Sequence, residues 1–357
     1  MESIFESLFD RRFGKLIAIH HRPGSFSDRW IEYCRANDVR FKVVDCHRSD
    51  IIEQLLGCRA LMWNFSQAYI QDMLIAHAIV KSAQAMGVRV FPDTSTSWHF
   101  DDKVAQKYFL EALRIPSVPS YVFVNRESAL KWAQEVGYPK VFKLKTGAGS
   151  SNVSLVGSAQ EASKLIKRAF ANGFPPVPRW NALRERWWHL MRDRDIDALV
   201  QISRGLGRGI RPNPTLRRLP WQKQYAYFQD FIAKNDSDVR IIVIGHRAFG
   251  IRRMVRQGDF RASGSGAIIH DPAVIPLECV ELAFRTAKAA SAQSLALDFV
   301  FDNGKPLVVE MSYAFTSAGY WNCPGYWRRD GSWIEGRFRA EDFMLEDLLS
   351  SLDEKNA

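Results

Sequence analysis

Residues 295–315, LALDFVFDNGKPLVVEMSYAF, place the strictest condition on how this chain folds. The run reads as two short strands around a turn. Leu295, Leu297, Phe299 and Phe301 share one face of the first strand, and Ala296, Asp298 and Val300 share the other. A carboxylate in the middle of such a strand is costly unless something neutralises it. The second strand, 307–312, repeats the anomaly at Glu310.

Turn length decides whether the two acids meet. A two-residue turn at Asn303-Gly304 pairs Phe301 with Pro306 and sends Asp298 and Glu310 to opposite faces. A three-residue loop, with Gly304 free to take a positive φ, puts them on one face. Carboxylates so placed repel, and either one holds its proton or a cation sits between them. Sparse, hard oxygen ligands suit Mg²⁺, which keeps its remaining positions for water and phosphate oxygens. A hairpin with one acid at an exposed edge is the plain alternative, and this stretch alone leaves both open.

A chain of 357 residues can bury a large core and implies two or three domains. No apolar run reaches the roughly 18 residues of a membrane span. The first residues, MESIFESLFDRRFGK, carry acids where a signal peptide needs basic charge, so a cytoplasmic location is expected. The five cysteines, Cys34, Cys46, Cys58, Cys279 and Cys323, are scattered without metal-type spacing and read as reduced thiols. The net charge of +10 is concentrated: residues 175–225 hold eleven Lys or Arg against four Asp or Glu, a surplus of seven. An anionic partner is implied, without being named.

Residues 1–97 alternate strands with helices. Strands are expected at KLIAIHH, FKVVDC, ALMWNF and VRVFP, with helices over 26–37, 50–56 and 67–86. That order favours a parallel sheet with right-handed crossovers. His20, His21 and the run Asn64-Phe65-Ser66-Gln67 fall where such strands end, the usual place for ligands in open α/β sheets. For His20 a packed or surface histidine is the preferred reading. No G-x-G-x-x-G fingerprint is present, which argues against a dinucleotide site.

From Asp101 the pattern changes. DDKVAQKYFLEAL is an amphipathic helix, YVFV a strand, and ESALKWAQEVG a helix ended by Gly137. PKVFKLKTGAGSSNVSLV then reads strand, Gly/Ser loop, strand, with Val141, Lys143 and Lys145 on one face. A Walker A loop would need Gly-Lys-Ser/Thr before a helix, and neither is there. Backbone amides of a flexible flap beside a lysine still suit phosphate oxygens. A helix over 159–170 precedes the basic insertion, which interleaves Arg and Trp around one helix near 183–193. That interleaving suits a substrate-facing or nucleic-acid-stacking element, or a solvated cover with its tryptophans packed inward. AYFQDFI, DVRIIVIGHRAFGIRRMV and GDFRASGSGAIIH read as consecutive antiparallel strands with a turn at Gly245, carrying Arg240, Arg252, Arg253 and Arg261. A helix over 276–291 leads into the acidic hairpin. WNCPGYWRRDGSWIEG reads as loop, and a last helix covers 341–349.

In this order the features resemble the ATP-grasp enzymes over about 101–315, especially the branch of glutathione synthetase and the ribosomal-protein glutamate ligase. Asp102-Lys103 opens the first lobe, Lys143 precedes a glycine-rich loop, and Gln229-Asp230-Phe231-Ile232 stands at the adenine hinge, where Glu is usual in place of Asp230. Asp238-Val239-Arg240, Gly258-Asp259-Phe260-Arg261, Asp298 and Glu310 follow in register. The resemblance implies an α/β (α+β) chain, an ATP-grasp fold with an N-terminal parallel α/β domain. Its expected parts are 1–100 (N-terminal domain), 101–170 (first lobe with phosphate flap), 171–225 (basic insertion) and 226–357 (second lobe with metal site and tail).

By the same resemblance, Lys103 and Lys143 contact phosphates as point charges, with Gly147, Gly149 and Ser150 in the flap. Gln229, Asp230, Phe231 and Ile232 hold adenine, and Asp238 reaches the ribose. Arg240, Arg253 and Arg261 hold the γ-phosphate and a substrate carboxylate. Asp298, Glu310 and Ser312 hold Mg²⁺. Three positions depart from the pattern: Ser312 and Ser263 stand where asparagines are common, and the flap keeps two glycines where relatives often have three. They bear on the second metal position and leave the carboxylate pair intact.

The activity so implied is an ATP-dependent carboxylate–amine ligase forming amide or peptide bonds through an acyl phosphate. Its cofactors are ATP and Mg²⁺, and its partners are small-molecule or peptide carboxylates and amines, anionic in view of the charge. A kinase of a polyanionic small molecule is the second reading, and a non-catalytic nucleotide or nucleic-acid binder the third. The sequence does not fix the oligomeric state, a homo-oligomer being one outcome.

Overall fold

The computed structural model describes residues 16–147, 153–175, 221–255 and 266–353. Gly149, Ser150, Arg261, Ser263 and nearly all of the basic insertion lie outside the described residues. The chain divides into two compact units. The larger comprises 1–100, 112–116 and 235–357, and the smaller 101–111 and 117–234.

The larger unit begins with the expected alternation: β1 (Ile17–His20), α1 (Phe26–Ala36), β2 (Phe41–Val44), α2 (Ile51–Gln54), β3 (Ala60–Met62), α3 (Ile70–Ala85), β4 (Arg89–Phe91) and α4 (Thr94–Ser97). The strands form a parallel sheet in the order β2-β1-β3-β4. Both faces are covered, so β1 and β3 are buried at every position. One face packs Ile17 and Ile19 on Trp30 of α1, and the other packs Ala18 and Leu61 with Ala76 and Val80 of α3.

The same unit holds an antiparallel sheet: β9 (Ser237–Ile244), β10 (Arg247–Met254), β11 (Ile268–Ile269), β12 (Ser294–Asp302), β13 (Lys305–Ser312), β14 (Gly325–Arg328) and β15 (Trp333–Glu335). Its order is β13-β12-β9-β10-β14-β15, with β11 also on β10. Helix α8 (Leu277–Ala289) lies against β9, β10 and β12. On the sheet's other face Ile242, Ile244, Phe249, Ile251 and Ala296 join one core with Ile17 and Ile19 and with Met344, Leu345 and Leu348 of α9 (Ala340–Asp353).

The smaller unit comprises α5 (Lys103–Ala112), β5 (Ser120–Phe123), α6 (Arg126–Glu135), β6 (Lys140–Lys143), β7 (Val153–Val156), α7 (Ala159–Ala169) and β8 (Ala226–Asp230). Its sheet is antiparallel, in the order β5-β8-β6-β7. Helices α6 and α7 start at side-chain caps, Asn125 accepting from the Ser128 amide and Ser158 from the Glu161 amide. Their apolar faces, Ala129, Ala133, Ala162 and Ile166, cover Phe142 and Phe228.

Two expectations fail. AYFQDFI is not the first of three consecutive strands in one sheet, because β8 inserts between β5 and β6 while β9 belongs to the other unit. The tail read as loop contains β14 and β15. Its strands form on a template invisible in local sequence: Arg247 and Ala248 of β10 pair with Arg328 and Trp327. A Cβ on Gly325 would lie 2.2 Å from the Ile334 carbonyl oxygen, so glycine permits the close approach of these two strands.

Candidate active site

The acidic hairpin closes by a route that neither simple register foresaw. Asn303 (φ +48°) and Gly304 (φ +80°) form a two-residue turn of the primed type, and Phe301 pairs with Pro306. Continued evenly, that register would put Val309 opposite Asp298. The ladder shifts instead between Asp298 and Phe299: Phe299 pairs with Val308, Asp298 with Glu310, and Val309 is the extra residue of a bulge. The two carboxylates therefore lie directly opposite each other on one face, with no need for a longer loop.

Asp298 also pairs with Arg240 of β9, and Arg253 of β10 pairs with Asp238. Four strands thus carry one charged row. It continues the face whose other end is apolar core at Ile242, Ile244 and Ala296. Arg240 grips Asp298 with a planar fork, Nε to Oδ1 at 2.5 Å and Nη2 to Oδ2 at 2.6 Å. Arg253 grips Asp238 in the same way, at 2.7 and 2.5 Å, and its Nη2 lies 3.0 Å from Asp298 Oδ1. Arg252, one residue earlier, points to the opposite face and bonds Ser237 at 2.8 Å.

Burial alone would raise the Asp298 carboxyl, but the charges and hydrogen bonds of Arg240 and Arg253 overcome it and hold the group well below the usual carboxylate range. Burial raises Asp238, against the pull of Arg253. Tyr320 packs beside the row and is pushed up to about 12 by burial, with Arg240 and Arg253 opposing. Nothing in the local pattern around Tyr320 marks it as part of this group. Ser312 follows Glu310 by two residues on the same face, and its hydroxyl donates to the Ala314 carbonyl at 2.9 Å.

Asp298 and Glu310 are the donors that fit a hard cation. They present carboxylate oxygens from adjacent strands, one of them held ionised by its surroundings. Mg²⁺ held there would meet an Asp298 already engaged by Arg240.

In the smaller unit the candidate residues gather at the root of the flap. Asp102 caps α5 by accepting from the amides of Val104 and Ala105, and its other oxygen lies 2.8 Å from Lys145 Nζ. Lys103 is buried; its ammonium donates to the Gly147 carbonyl at 2.9 Å and its amide to the Lys145 carbonyl. Gly147 (φ +120°) also donates its amide to Asp101 at 2.8 Å. Tyr225, missed by sequence reasoning, accepts the Lys145 amide at 2.6 Å.

Lys143 is buried and its ammonium lies 2.5 Å from Gln229 Oε1, and Gln229 in turn donates to Ser120 at 3.0 Å. Asp230 pairs with Lys140 at 2.5 Å and gives its amide to the Pro119 carbonyl, so what it can offer a ligand on the backbone is its carbonyl oxygen. Phe231 and Ile232 follow it directly out of β8.

All five cysteines are buried and none is in a disulfide. Among the described residues no helix is long and apolar enough to cross a membrane.

Residues 214–319 match the model of the RimK-like ATP-grasp domain. No curated protein matches the sequence. Among solved structures, the chain is similar to a RimK-domain ATP-grasp protein from Sphaerobacter thermophilus at 17% identity, covering 85% of this chain and 93% of that one, with a TM-score of 0.52. It is also similar to D-alanine–D-alanine ligase from Bacillus anthracis complexed with ATP (12% identity, 95% and 98% covered, TM-score 0.53). A third is the biotin carboxylase domain of 2-oxoglutarate carboxylase from Hydrogenobacter thermophilus with MgADP (13% identity, 84% and 64% covered, TM-score 0.51). The RimK-like match takes in the acidic hairpin, and the solved structures share the ATP-grasp fold with this chain.

Proposed function

We propose that this protein is an ATP-dependent carboxylate–amine ligase that works through an acyl phosphate. The observation that carries the reading is the bulged hairpin, which sets Asp298 and Glu310 face to face beside the forks of Arg240 and Arg253. The solved neighbours complexed with ATP and with MgADP support the same cofactors here.

The roles divide between the units. In the smaller unit, Lys103 and Lys143 bind phosphate oxygens together with the flap residues Gly147, Gly149 and Ser150, and backbone groups from Asp230 to Ile232 orient adenine beside Gln229. In the larger unit, Asp298 and Glu310 would hold Mg²⁺, with Ser312 as a neutral neighbour. The metal supplies charge neutralisation at the transferring phosphoryl group. Arg240, Arg253 and Arg261 orient the substrate carboxylate and the γ-phosphate. Asp238 keeps Arg253 in place through its fork, which makes it a positioning residue in place of a ribose contact. A carboxylate oxygen bonds to the γ-phosphorus as the bond to the β-phosphate oxygen breaks and ADP leaves. The amine then bonds to the carbonyl carbon, phosphate leaves, and the nitrogen gives up a proton.

The basic run at 175–225 fits an anionic substrate. The test is release of ADP and phosphate from purified protein with ATP, Mg²⁺ and panels of acids and amines, with the product weighed by mass spectrometry. Release that needs both acid and amine, and a product joined with loss of water, is expected. A stable phosphorylated product formed without amine would establish a kinase instead.

A further inference from the structure

A second concentration of ionisable side chains lies far along the chain from the charged row, at the C-terminal ends of β1 and β2. Among the described residues, His20, Asp45 and His47 each bring one ligand atom within 4.8 Å of the others. Nδ1 of His47 is 3.7 Å from Asp45 Oδ1, and Nδ1 of His20 is 3.9 Å from that oxygen.

What makes this more than a chance group is the hydrogen bonding behind it. Asp72 is wholly buried, and one of its oxygens accepts from Arg22 Nη1 and from the Ser66 amide, both at 2.8 Å. That oxygen is fully engaged by the two donors. Its other oxygen lies 2.7 Å from His47 Nε2, the position of an acceptor for an Nε2 proton, and a proton there leaves Nδ1, 3.7 Å from Asp45 Oδ1, as the ring's acceptor atom. A carboxylate behind an imidazole in this way is the arrangement that fixes the tautomer of metal-bound histidines. The Cys46 amide donates to His20 Nδ1 at 3.0 Å, placing that lone pair on Nδ1 as well. The rings of His20 and His47 meet edge to face at 5.0 Å between centroids, and His20 is backed by Trp63 at 5.4 Å. His47 Nδ1 and His20 Nδ1 thus flank one Asp45 oxygen, with the His20 lone pair engaged by the Cys46 amide.

We propose that His20, Asp45 and His47 form a site for a divalent transition-metal cation of the zinc class, with Asp72 as the group that orients His47. Ligand bonds of roughly 2.0–2.2 Å in a tetrahedron put ligand atoms about 3.4 Å apart, so the two histidine–Asp45 separations close by a few tenths of an ångström, while the histidine pair, within 4.8 Å, closes further. Nitrogen ligands favour such a cation over Mg²⁺. Three protein ligands leave a fourth position for water or an anionic ligand, and the partly exposed Asp45 and His47 give access from solvent. His20 is the weakest of the three, since coordination must take its lone pair from the Cys46 amide.

The experiment uses the full-length protein, stripped with a chelator and titrated with Co²⁺ in the presence of excess Mg²⁺, read by visible d–d absorption with Zn²⁺ as competitor. One equivalent of Co²⁺ is expected to give the intense band of four-coordinate geometry, displaced by one equivalent of Zn²⁺. His47→Ala and Asp45→Asn abolish it. Asp72→Asn keeps the band but weakens affinity by on the order of 10–100-fold. Asp298→Asn leaves it unchanged, which separates this site from the hairpin and makes the result independent of any ligase turnover. Far-UV circular dichroism checks folding, and the exposed Asp45 decides the matter should the His47 variant misfold. No band at one equivalent, a band that survives Asp45→Asn, or one lost with Asp298→Asn overturns the proposal.

Discussion

The charged row of the larger unit and the lysine cluster of the smaller one hold their groups by different means. Asp298 and Asp238 are gripped by planar arginine forks, two bonds each, between strands whose register fixes both partners. Lys103 and Lys143 instead donate to neutral oxygens, among them the Gly147 carbonyl and Gln229 Oε1. A fork between neighbouring strands sets direction as well as distance. A point charge on a flexible stem sets distance alone and can turn to an arriving phosphate. The row is therefore built for geometry and the lysines for adaptable charge.

Breaking the row should have the largest effect. Asp298→Asn removes the proposed metal ligand and weakens the fork on Arg240, so ADP release is expected to fall on the order of 10³-fold. Unfolding in urea should show a loss of about 3 kcal/mol. Activity at wild-type level would refute the role given to the hairpin. Lys143→Ala strikes the other side of the comparison. Loss of one charge-assisted bond should raise KM for ATP roughly 10–100-fold while kcat changes less. An unchanged KM would mean the lysine only packs against Gln229.

Acid should sharpen the contrast. The Asp298 carboxyl is held below its unfolded value, so its stabilisation is fully present above the ordinary carboxylate range near pH 4. It fades as pH falls from there toward the lower folded value. The stability difference between wild type and Asp298→Asn, measured by thermal melts, should accordingly shrink below about pH 4 and stay flat from pH 6 to 8. A difference that grows in acid would contradict the fork. The smallest effect is expected from Tyr320→Phe. Loss of one hydroxyl beside Arg240 should cost about 1 kcal/mol in urea unfolding and leave KM for ATP unmoved.

Much of the larger unit is legible along the chain. The alternation of apolar strands and amphipathic helices through residue 97 is local information, and the parallel sheet follows it closely. Asp298 and Glu310 announce themselves because an acid inside an apolar strand demands an explanation. The partners do not: Arg253 and Arg252 are neighbours in sequence and only strand register tells which one reaches Asp298. Tyr320 enters its cluster from a short 3-10 turn (Ser317–Tyr320) and Tyr225 from the loop before β8, and neither segment looks unusual by itself.

By itself, then, the sequence determined the periodicities, the anomalous acids, the reduced cysteines and the order of features that matches ATP-grasp enzymes. Local composition and spacing suffice for each of these. Tertiary structure alone decided that the tail pairs with β10, that β8 leaves its neighbours for another sheet, and that a bulge at Val309 brings Asp298 and Glu310 together despite a two-residue turn. Each of those outcomes depends on hydrogen bonds to a strand distant in sequence, and on which side chains a buried face can accommodate. Neighbouring residues carry no record of either.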